Sequence, residues 1–382
     1  MVAVLSFGPR STMGLVFKPL VTDTGWPYTA FATAIAIQHI VWGVAQPIGG
    51  AIADRFGTVR VLCGGSVLYA AGLILMGNAG SQTDLYSAGV LLGFGFAGAS
   101  FNIVLGAFGR LLSDSWRSFG IGLAGAAGSL GQFLFSPLCV VMIETIGWRG
   151  TLLAYSGLVL LVVPLAFVFL SGGDAPRPER GPAQPVLYVF RDAVKNPSFA
   201  MLLITFFGSG MHLAFVNAHL PVHLQDRNLD ATLAGWVVAT IGFFNIFGSI
   251  AAGWLCARYP QRFVLFAICL LRAASIALFL IFPVTPAGAL IFGAMMGLLW
   301  LAASPPVIGL VAALFGTRNL AALFGLAYLV HQIGAFLGVW AGGLIYQATG
   351  SYDFIWWCVA AMGLIGAALS LWISEPRAAP PS

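Results

Sequence analysis

The chain has 382 residues, of which 59% are hydrophobic and only 8% are charged. An ordinary soluble domain carries about a quarter charged residues, so this composition excludes a soluble enzyme and a soluble nucleic-acid-binding protein. Backbone polar groups in lipid have to be satisfied within helices. The composition therefore predicts an all-α integral membrane protein whose surroundings are the lipid bilayer.

Apolar runs recur from one end of the chain to the other, and each is long enough for the roughly 20 residues that span a bilayer. Charged residues and Pro/Gly-rich breaks separate these runs. They predict twelve membrane helices, near residues 1–20, 28–52, 61–80, 84–110, 118–143, 150–171, 197–223, 231–257, 263–283, 286–314, 318–346 and 352–373.

One substantial polar segment divides the twelve spans into two halves of six. Residues 50–60, after the second span, resemble residues 253–262, after the eighth. Internal repeats of this kind predict two pseudo-symmetric bundles with a binding site near the membrane midplane. We predict an N-terminal six-helix bundle over residues 1–171, a cytoplasmic linker over 172–196, a C-terminal six-helix bundle over 197–374 and a cytoplasmic tail over 375–382.

The basic residues lie mainly on one side of the predicted membrane. With both termini inside, twelve of the 17 Lys and Arg residues fall on the cytoplasmic side. Only Lys18, Arg149 and Arg227 fall on the opposite side, which we call the outer side. Lys and Arg accumulate in cytoplasmic loops, so this bias predicts cytoplasmic termini. The net charge of +5 then reflects topology and does not indicate nucleic-acid binding.

The loop between the second and third spans carries the pattern G-x-x-x-D-R-x-G-x-x-R at residues 50–60. This pattern resembles the loop signature of the major facilitator superfamily, whose fold consists of two six-helix bundles. The resemblance implies that Asp54, Arg55 and Arg60 form a cytoplasmic latch with the start of the eleventh span. Anchoring of the loop by its positive charge is the alternative role for the arginines.

Three further segments are similar to one branch of that superfamily, the monocarboxylate transporters and oxalate/formate antiporters, particularly the bacterial members. They are residues 7–17, 116–132 and 147–149. The resemblance implies transport of a small organic anion across a bacterial inner membrane, with a proton or in exchange for a counter-anion. Animal carriers place an Asp and Arg pair in the eighth helix, whereas residues 243–249 here are all neutral. Proton coupling by that route is therefore not supported.

Two arginines lie near the centres of predicted spans, Arg10 in the first and Arg272 in the ninth, whereas every carboxylate falls at a loop or a helix end. A central arginine costs roughly 2.5–3.5 kcal/mol on insertion scales, so it normally faces a cavity or a partner. Guanidinium groups bind carboxylates in bidentate fashion. We expect Arg10 to bind the anion, since the resemblance places a basic residue there. For Arg272 the alternative is bonding to backbone carbonyls.

Several neutral polar residues are further candidates for the substrate cavity. They are Asn102, Gln132, His212, Asn245, His331 and Gln332. Histidine titrates near neutral pH, so we expect His331 or His212 to accept a proton. Polar contact between packed helices is the alternative role for all of these residues except Gln332.

The sequence contains no adequate constellation for catalysis or metal binding. His219 and His223 are correctly spaced for one helix face, but a stable metal site needs three or four ligands. Residues 207–210, Phe-Gly-Ser-Gly, do not match the G-x-S-x-G nucleophile pattern, because their glycines lie directly beside the serine. We therefore predict no enzymatic activity, no cofactor and no metal.

The sequence thus predicts a secondary transporter that moves a small organic anion by alternating access, with a monocarboxylate as the favoured substrate. Two alternatives stay open. An efflux carrier for hydrophobic compounds would leave Arg10 unexplained, and a transporter-like sensor would bind its ligand without moving it.

Overall fold

The structure is a computed structural model that describes residues 1–100, 103–104, 114–168, 186–316 and 318–375, with the backbone alone for residues 54, 114–124 and 186–188. The described residues form fifteen α-helices and no β-strand. The helices are α1 (Val2–Ser11), α2 (Met13–Thr24), α3 (Tyr28–Phe56), α4 (Thr58–Gly77), α5 (Gln82–Ala99), α6 (Asp114–Leu160), α7 (Val162–Ala166), α8 (Val186–Val194), α9 (Pro197–Asp226), α10 (Ala231–Arg258), α11 (Gln261–Ile281), α12 (Pro286–Leu299), α13 (Ser304–Phe315), α14 (Leu320–Thr349) and α15 (Asp353–Trp372).

Each of the twelve predicted spans overlaps at least one of these helices. Within the described residues, nine helical segments are long and apolar enough to cross a membrane. One of them covers parts of both the fifth and the sixth predicted spans, because α6 consists of two helical stretches that meet at a kink at Gly147. Gly147 has φ 73° and ψ 168°, a backbone conformation that residues with a Cβ rarely adopt. The short helix α8 lies inside the predicted linker.

Besides the sixth predicted span, which divides at Leu161 between α6 and α7, two predicted spans are each broken into two helices. The first divides at Thr12, three residues after Pro9, with φ −97° and ψ 0° at Thr12. The tenth divides between α12 and α13, and Ser304 is followed by Pro305 and Pro306. Proline has no N–H and its ring clashes with the carbonyl four residues earlier, so it weakens a helix at that point. The helix is not always broken, since α3 continues through Pro47 and α9 through Pro221. Both breaks lie at the depth of the central cavity.

The two halves of the chain meet along three helix pairs, α3 with α14, α6 with α10, and α2 with α9. Glycines permit the close crossings. A Cβ at Gly14 of α2 would overlap the backbone oxygen of Asn217 on α9, and a Cβ at Gly343 of α14 would overlap the Ala32 side chain on α3. Small residues let membrane helices approach where lipid supplies no hydrophobic force between them.

The outward-facing surface is apolar, as a bilayer requires. Large side chains such as Val67, Ile250, Trp254 and Leu364 are at least half exposed. A soluble protein rarely exposes contiguous apolar patches of this extent, because the hydrophobic effect drives such side chains inside. The composition and this surface together indicate that lipid covers the outside of the helices.

All three outer basic residues form ion pairs with acidic residues. Lys18 Nζ lies 3.0 Å from Asp226 Oδ1, Arg227 Nη2 lies 2.8 Å from Asp353 Oδ1, and Arg149 Nε lies 3.6 Å from Asp23 Oδ2. The first pair joins α2 to α9 and therefore connects the two halves of the chain. The other two pairs each stay within one half.

Candidate functional site

A central cavity of about 80 Å³ lies where the two halves meet. It is lined from α1, α3, α6, α9 and α14, and from the break between α12 and α13. No carboxylate is among the described residues that line it. Its polar lining residues are Arg10, His39, Gln132, Ser209, Asn217, Ser304, Tyr328, His331 and Gln332.

Arg10 brings the cavity its positive charge. The guanidinium carbon lies 4.5 Å from the ring centroid of Trp42, 5.0 Å from that of Phe96 and 5.7 Å from that of Phe7. Its Nε is buried and has no hydrogen-bond partner. None of the ion pairs among the described residues involves Arg10. Ring faces attract a cation through their quadrupole, but they leave its N–H donors free for an anion.

The break in the first span positions Arg10. Arg10 lies in the last turn of α1, and Thr12 separates α1 from α2. The Ser11 hydroxyl donates to the Gly8 carbonyl at 2.7 Å, and the Thr12 hydroxyl donates to the Pro9 carbonyl at 2.8 Å. These bonds satisfy carbonyls at the end of α1 that have no partner within the helix. The Arg10 guanidinium is therefore not needed as a cap.

Two histidines converge on one amide oxygen. Nδ1 of His39 and Nδ1 of His331 each lie 3.4 Å from Oε1 of Gln332. His39 belongs to α3, whereas His331 and Gln332 belong to α14, so the group joins the two halves. The His331 ring stacks on Tyr328 with centroids 5.7 Å apart and an interplanar angle of 4°. Neutral imidazoles that donate from Nδ1 keep Nε2 as a proton acceptor.

Gln132 supplies a polar group on the opposite interface. Its Nε2 donates to the Val238 carbonyl at 3.3 Å, which links α6 to α10 across the two halves. Its Oε1 is buried without a hydrogen-bond partner. This oxygen is therefore available to a hydrogen-bond donor on a polar substrate.

Three predicted site residues do not line the cavity. Arg272 is fully buried and donates hydrogen bonds to Ser209 and to backbone carbonyls. His212 lies against Gly363 of α15, where an added Cβ would be 3.0 Å from its Cε1. Asn245 donates to the Ser129 hydroxyl at 2.8 Å. The geometry of these residues fits the alternative role of contacts between helices.

The predicted latch and Asn102 are described only in part. Asn102 and the Asp54 side chain lie outside the described residues. Arg55 is exposed, with its guanidinium carbon 5.2 Å from the Phe56 ring, and Arg60 Nη1 donates to the Phe56 carbonyl at 3.2 Å. The latch between this loop and the start of α14 stays a prediction.

Sequence reasoning missed three residues that surround Arg10 and Gln332, namely His39, Trp42 and Tyr328. On α3, His39, Trp42 and Gln46 are spaced three and four apart, which places them along one helix face. Trp42 Nε1 donates to Gln46 Oε1 at 2.7 Å. A polar stripe of this spacing within an apolar span was a usable signal.

The comparisons with known proteins agree on the family. The family model of the Major Facilitator Superfamily matches residues 1–339 and, in a second match, residues 224–382. A bacterial homolog to the human lysosomal transporter Spinster, solved in an inward-facing and occupied conformation, has the same fold. The TM-score is 0.73 at 14% identity, and the match covers 97% of this chain and 92% of that one.

Several relatives are similar along most of the chain. Monocarboxylate transporter 13 of Bos taurus is 28% identical, with 92% of this chain and 82% of that protein covered. Monocarboxylate transporter 11 of Homo sapiens is 29% identical, with 98% and 81% covered. The uncharacterized MFS-type transporter YcxA of Bacillus subtilis (strain 168) is 24% identical, with 87% and 83% covered. The chain therefore belongs to the Major Facilitator Superfamily and is a membrane transporter, not an enzyme.

Proposed function

We propose that this transporter moves a small monocarboxylate by alternating access, with the carboxylate bound at Arg10. The observation that carries the proposal is the Arg10 guanidinium, which has no acidic partner among the described residues and lies in a cavity that both halves line. Removal of a charge from water is costly unless it is paired, so the cavity gains most from an anionic ligand.

The size and composition of the cavity favour one carboxylate on a small body. About 80 Å³ holds a molecule of a few heavy atoms, and Arg10 is the one permanently charged group among the described lining residues. Apolar groups such as Phe7, Leu213 and Trp300 form the rest of the wall. A second carboxylate would meet no fixed positive charge. The names of the similar monocarboxylate transporters support the same substrate class.

We infer that His39 and His331 are the groups that accept a proton if transport is proton-coupled. Arg10 and His39 share Trp42 as a neighbour, with the His39 and Trp42 ring centroids 6.2 Å apart. A proton on either histidine is opposed by the Arg10 charge and is favoured once an anion offsets that charge. Binding of anion and proton would then be mutually favourable, because coupling between sites is reciprocal. Exchange of one anion for another would need no proton.

The proposed location is a bacterial inner membrane with both termini in the cytoplasm. The distribution of Lys and Arg supports this orientation. The three outer basic residues also form their ion pairs with acidic residues that the same topology assigns to the outer side.

Two other functions make different demands on the cavity. An efflux carrier for hydrophobic compounds would have no use for Arg10 at membrane depth, because an uncharged substrate gives the guanidinium no opposite charge. A sensor without transport would bind its ligand tightly and show no turnover. Both alternatives are distinguished from the proposal by net movement of an anion.

Uptake of a panel of labelled carboxylates into proteoliposomes tests the proposal, with and without an imposed pH gradient. We expect uptake of short monocarboxylates and no uptake of dicarboxylates. Tight binding without uptake would establish a sensor, and transport of hydrophobic cations or neutral compounds alone would establish the efflux carrier.

A further inference from the structure

The break between α12 and α13 forms one wall of the central cavity. Pro305 and Pro306 prevent a continuous helix, and Trp300, Leu301, Ala303 and Ser304 line the cavity at this point. A helix that ends within the membrane leaves its last carbonyls without partners inside the helix. The position of this wall therefore depends on which side chains satisfy those carbonyls.

Arg272 of α11 donates hydrogen bonds to these carbonyls from outside the cavity lining. Its Nε donates to the Leu299 carbonyl at 3.0 Å, and its Nη2 donates to the Trp300 carbonyl at 2.7 Å and also to that of Leu299. Its Nη1 donates to the Ser209 hydroxyl of α9 at 2.7 Å. The negative end of the α12 dipole lies at these carbonyls and stabilises the charge. Arg272 itself is fully buried and lies outside the cavity lining.

Asn245 of α10 also forms a hydrogen bond to the break between α12 and α13. Its Oδ1 accepts the Leu301 N–H at 3.1 Å, and its Nδ2 donates to the Ser129 hydroxyl of α6 at 2.8 Å. Ser129 belongs to the other half of the chain. Three consecutive residues of the broken segment are thus fixed by two side chains that do not touch the cavity.

We propose that Arg272 and Asn245 are positioning residues that hold the broken segment and so determine which carboxylates the cavity accepts. This inference rests on the proposed function, because it assigns the selectivity of the same cavity. When the hydrogen bonds of Arg272 or of Asn245 are lost, Trp300 and Ser304 shift relative to Arg10. The cavity then accepts substrates whose apolar part has a different length.

The test compares Arg272→Lys and Asn245→Ala with the wild-type chain across carboxylates of two to six carbons. Lysine keeps the charge, but its three donors lie on one nitrogen, so it cannot reproduce the bonds that the planar guanidinium spreads over the Leu299 and Trp300 carbonyls and the Ser209 hydroxyl. We expect KM for the preferred acid to rise in both variants, by about tenfold in Arg272→Lys, where hydrogen bonds from a charged donor are lost. The order of preference among chain lengths should change in the same direction in both variants.

Thr205→Ala is the matched control, because Thr205 is a buried hydroxyl on α9 that bonds the Met201 and Gly366 carbonyls away from the break. Its KM and chain-length preference should equal those of the wild type. The proposal is overturned if Arg272→Lys and Asn245→Ala lower only the maximal rate, in proportion to the amount of folded carrier.

A second measurement separates this proposal from the proposed function. Ser304→Cys is introduced with and without Arg272→Lys, and its alkylation rate is measured above the background of the native cysteines. A changed rate supports the positioning role even if no carboxylate is transported. An unchanged rate contradicts it, whereas wild-type failure to transport any carboxylate contradicts the proposed function alone.

Discussion

At the scale of single residues, the Arg10 guanidinium is stabilised by the ring faces of Trp42 and Phe96, with no carboxylate beside it among the described residues. Arg10→Gln should abolish uptake at unchanged expression, because a neutral amide provides no opposite charge to the anion. Arg10→Lys should keep some uptake with a raised KM, since the charge stays but bidentate bonding is lost. Initial rates of uptake in proteoliposomes test both predictions. Normal transport by Arg10→Gln would show that Arg10 does not bind the substrate.

The histidine pair gives a second prediction at this scale. His39→Gln or His331→Gln should remove accumulation driven by a pH gradient and retain counterflow of labelled for unlabelled acid. Exchange does not require net proton movement, so only the coupled mode depends on a titrating group.

His212→Gln is the matched control, because His212 is buried outside the cavity lining. We expect that variant to accumulate substrate as the wild type does. Accumulation by the His39→Gln, His331→Gln double variant under a pH gradient alone would show that the proton travels by another route.

The residue scale also shows what the sequence could predict. Four of the predicted site residues, Arg10, Gln132, His331 and Gln332, line the cavity. They were visible in one sequence because a polar group deep in an apolar span is unusual. Arg272 was visible for the same reason. The orientation of the Arg272 side chain could not be predicted, since the position of the α12 carbonyls depends on how α11 packs against the break.

At the scale of elements, the twelve spans were predictable because an apolar run of bilayer length has few alternatives. The breaks at Thr12 and between α12 and α13 were not predicted, although Pro9, Pro305 and Pro306 are visible in the sequence. Proline inside a membrane helix is often tolerated when neighbouring groups satisfy the freed carbonyls. Whether the helix bends or divides depends on those neighbours, such as Arg272 and Asn245 here.

The crossing of α2 and α9 gives a prediction for a helix pair. Gly14→Ala should destabilise the protein by about 1–3 kcal/mol, because its Cβ meets the backbone oxygen of Asn217 and backbone cannot move cheaply. Gly253→Ala is the control, since a Cβ there meets open space and alanine favours a helix. Thermal unfolding in detergent should show a lower midpoint for the first variant only, and equal midpoints would contradict the close crossing.

At the scale of the whole molecule, the outer ends of the two halves are joined by Lys18, Asp226 and Tyr346. Tyr346 donates its hydroxyl to Asp226 Oδ2 at 2.8 Å, and its ring lies 4.5 Å from that of Tyr28 on α3. The halves have to separate here for the cavity to open outward. These contacts are partly exposed, so their individual contributions are small.

Asp226→Asn should therefore raise the fraction of carriers open to the outer side by up to about fivefold, the effect of one partly exposed ion pair. The measurement is alkylation of Leu213→Cys in the cavity by an impermeant reagent added on the outer side. Asp353→Asn breaks the Arg227 pair within one half and should leave the rate unchanged. Equal effects of the two substitutions would mean that the pair between halves does not control opening.

The proposed latch on the cytoplasmic side makes a separate prediction. Asp54→Asn should slow cycling between inward and outward states and leave equilibrium substrate binding largely intact, because a latch changes the balance of conformations more than the contacts of the site. Binding and transport are measured on the same preparation. An equal loss of both would assign Asp54 to the binding site instead.

The central claim is that an anion is bound at Arg10 and carried across the membrane. Its most direct test is counterflow in proteoliposomes, in which labelled short monocarboxylate exchanges against unlabelled acids or their uncharged amides of the same size. We predict that the acids exchange and the amides do not, because only an anion offsets the guanidinium charge. Exchange of the amides at the same rate as the acids would contradict this account.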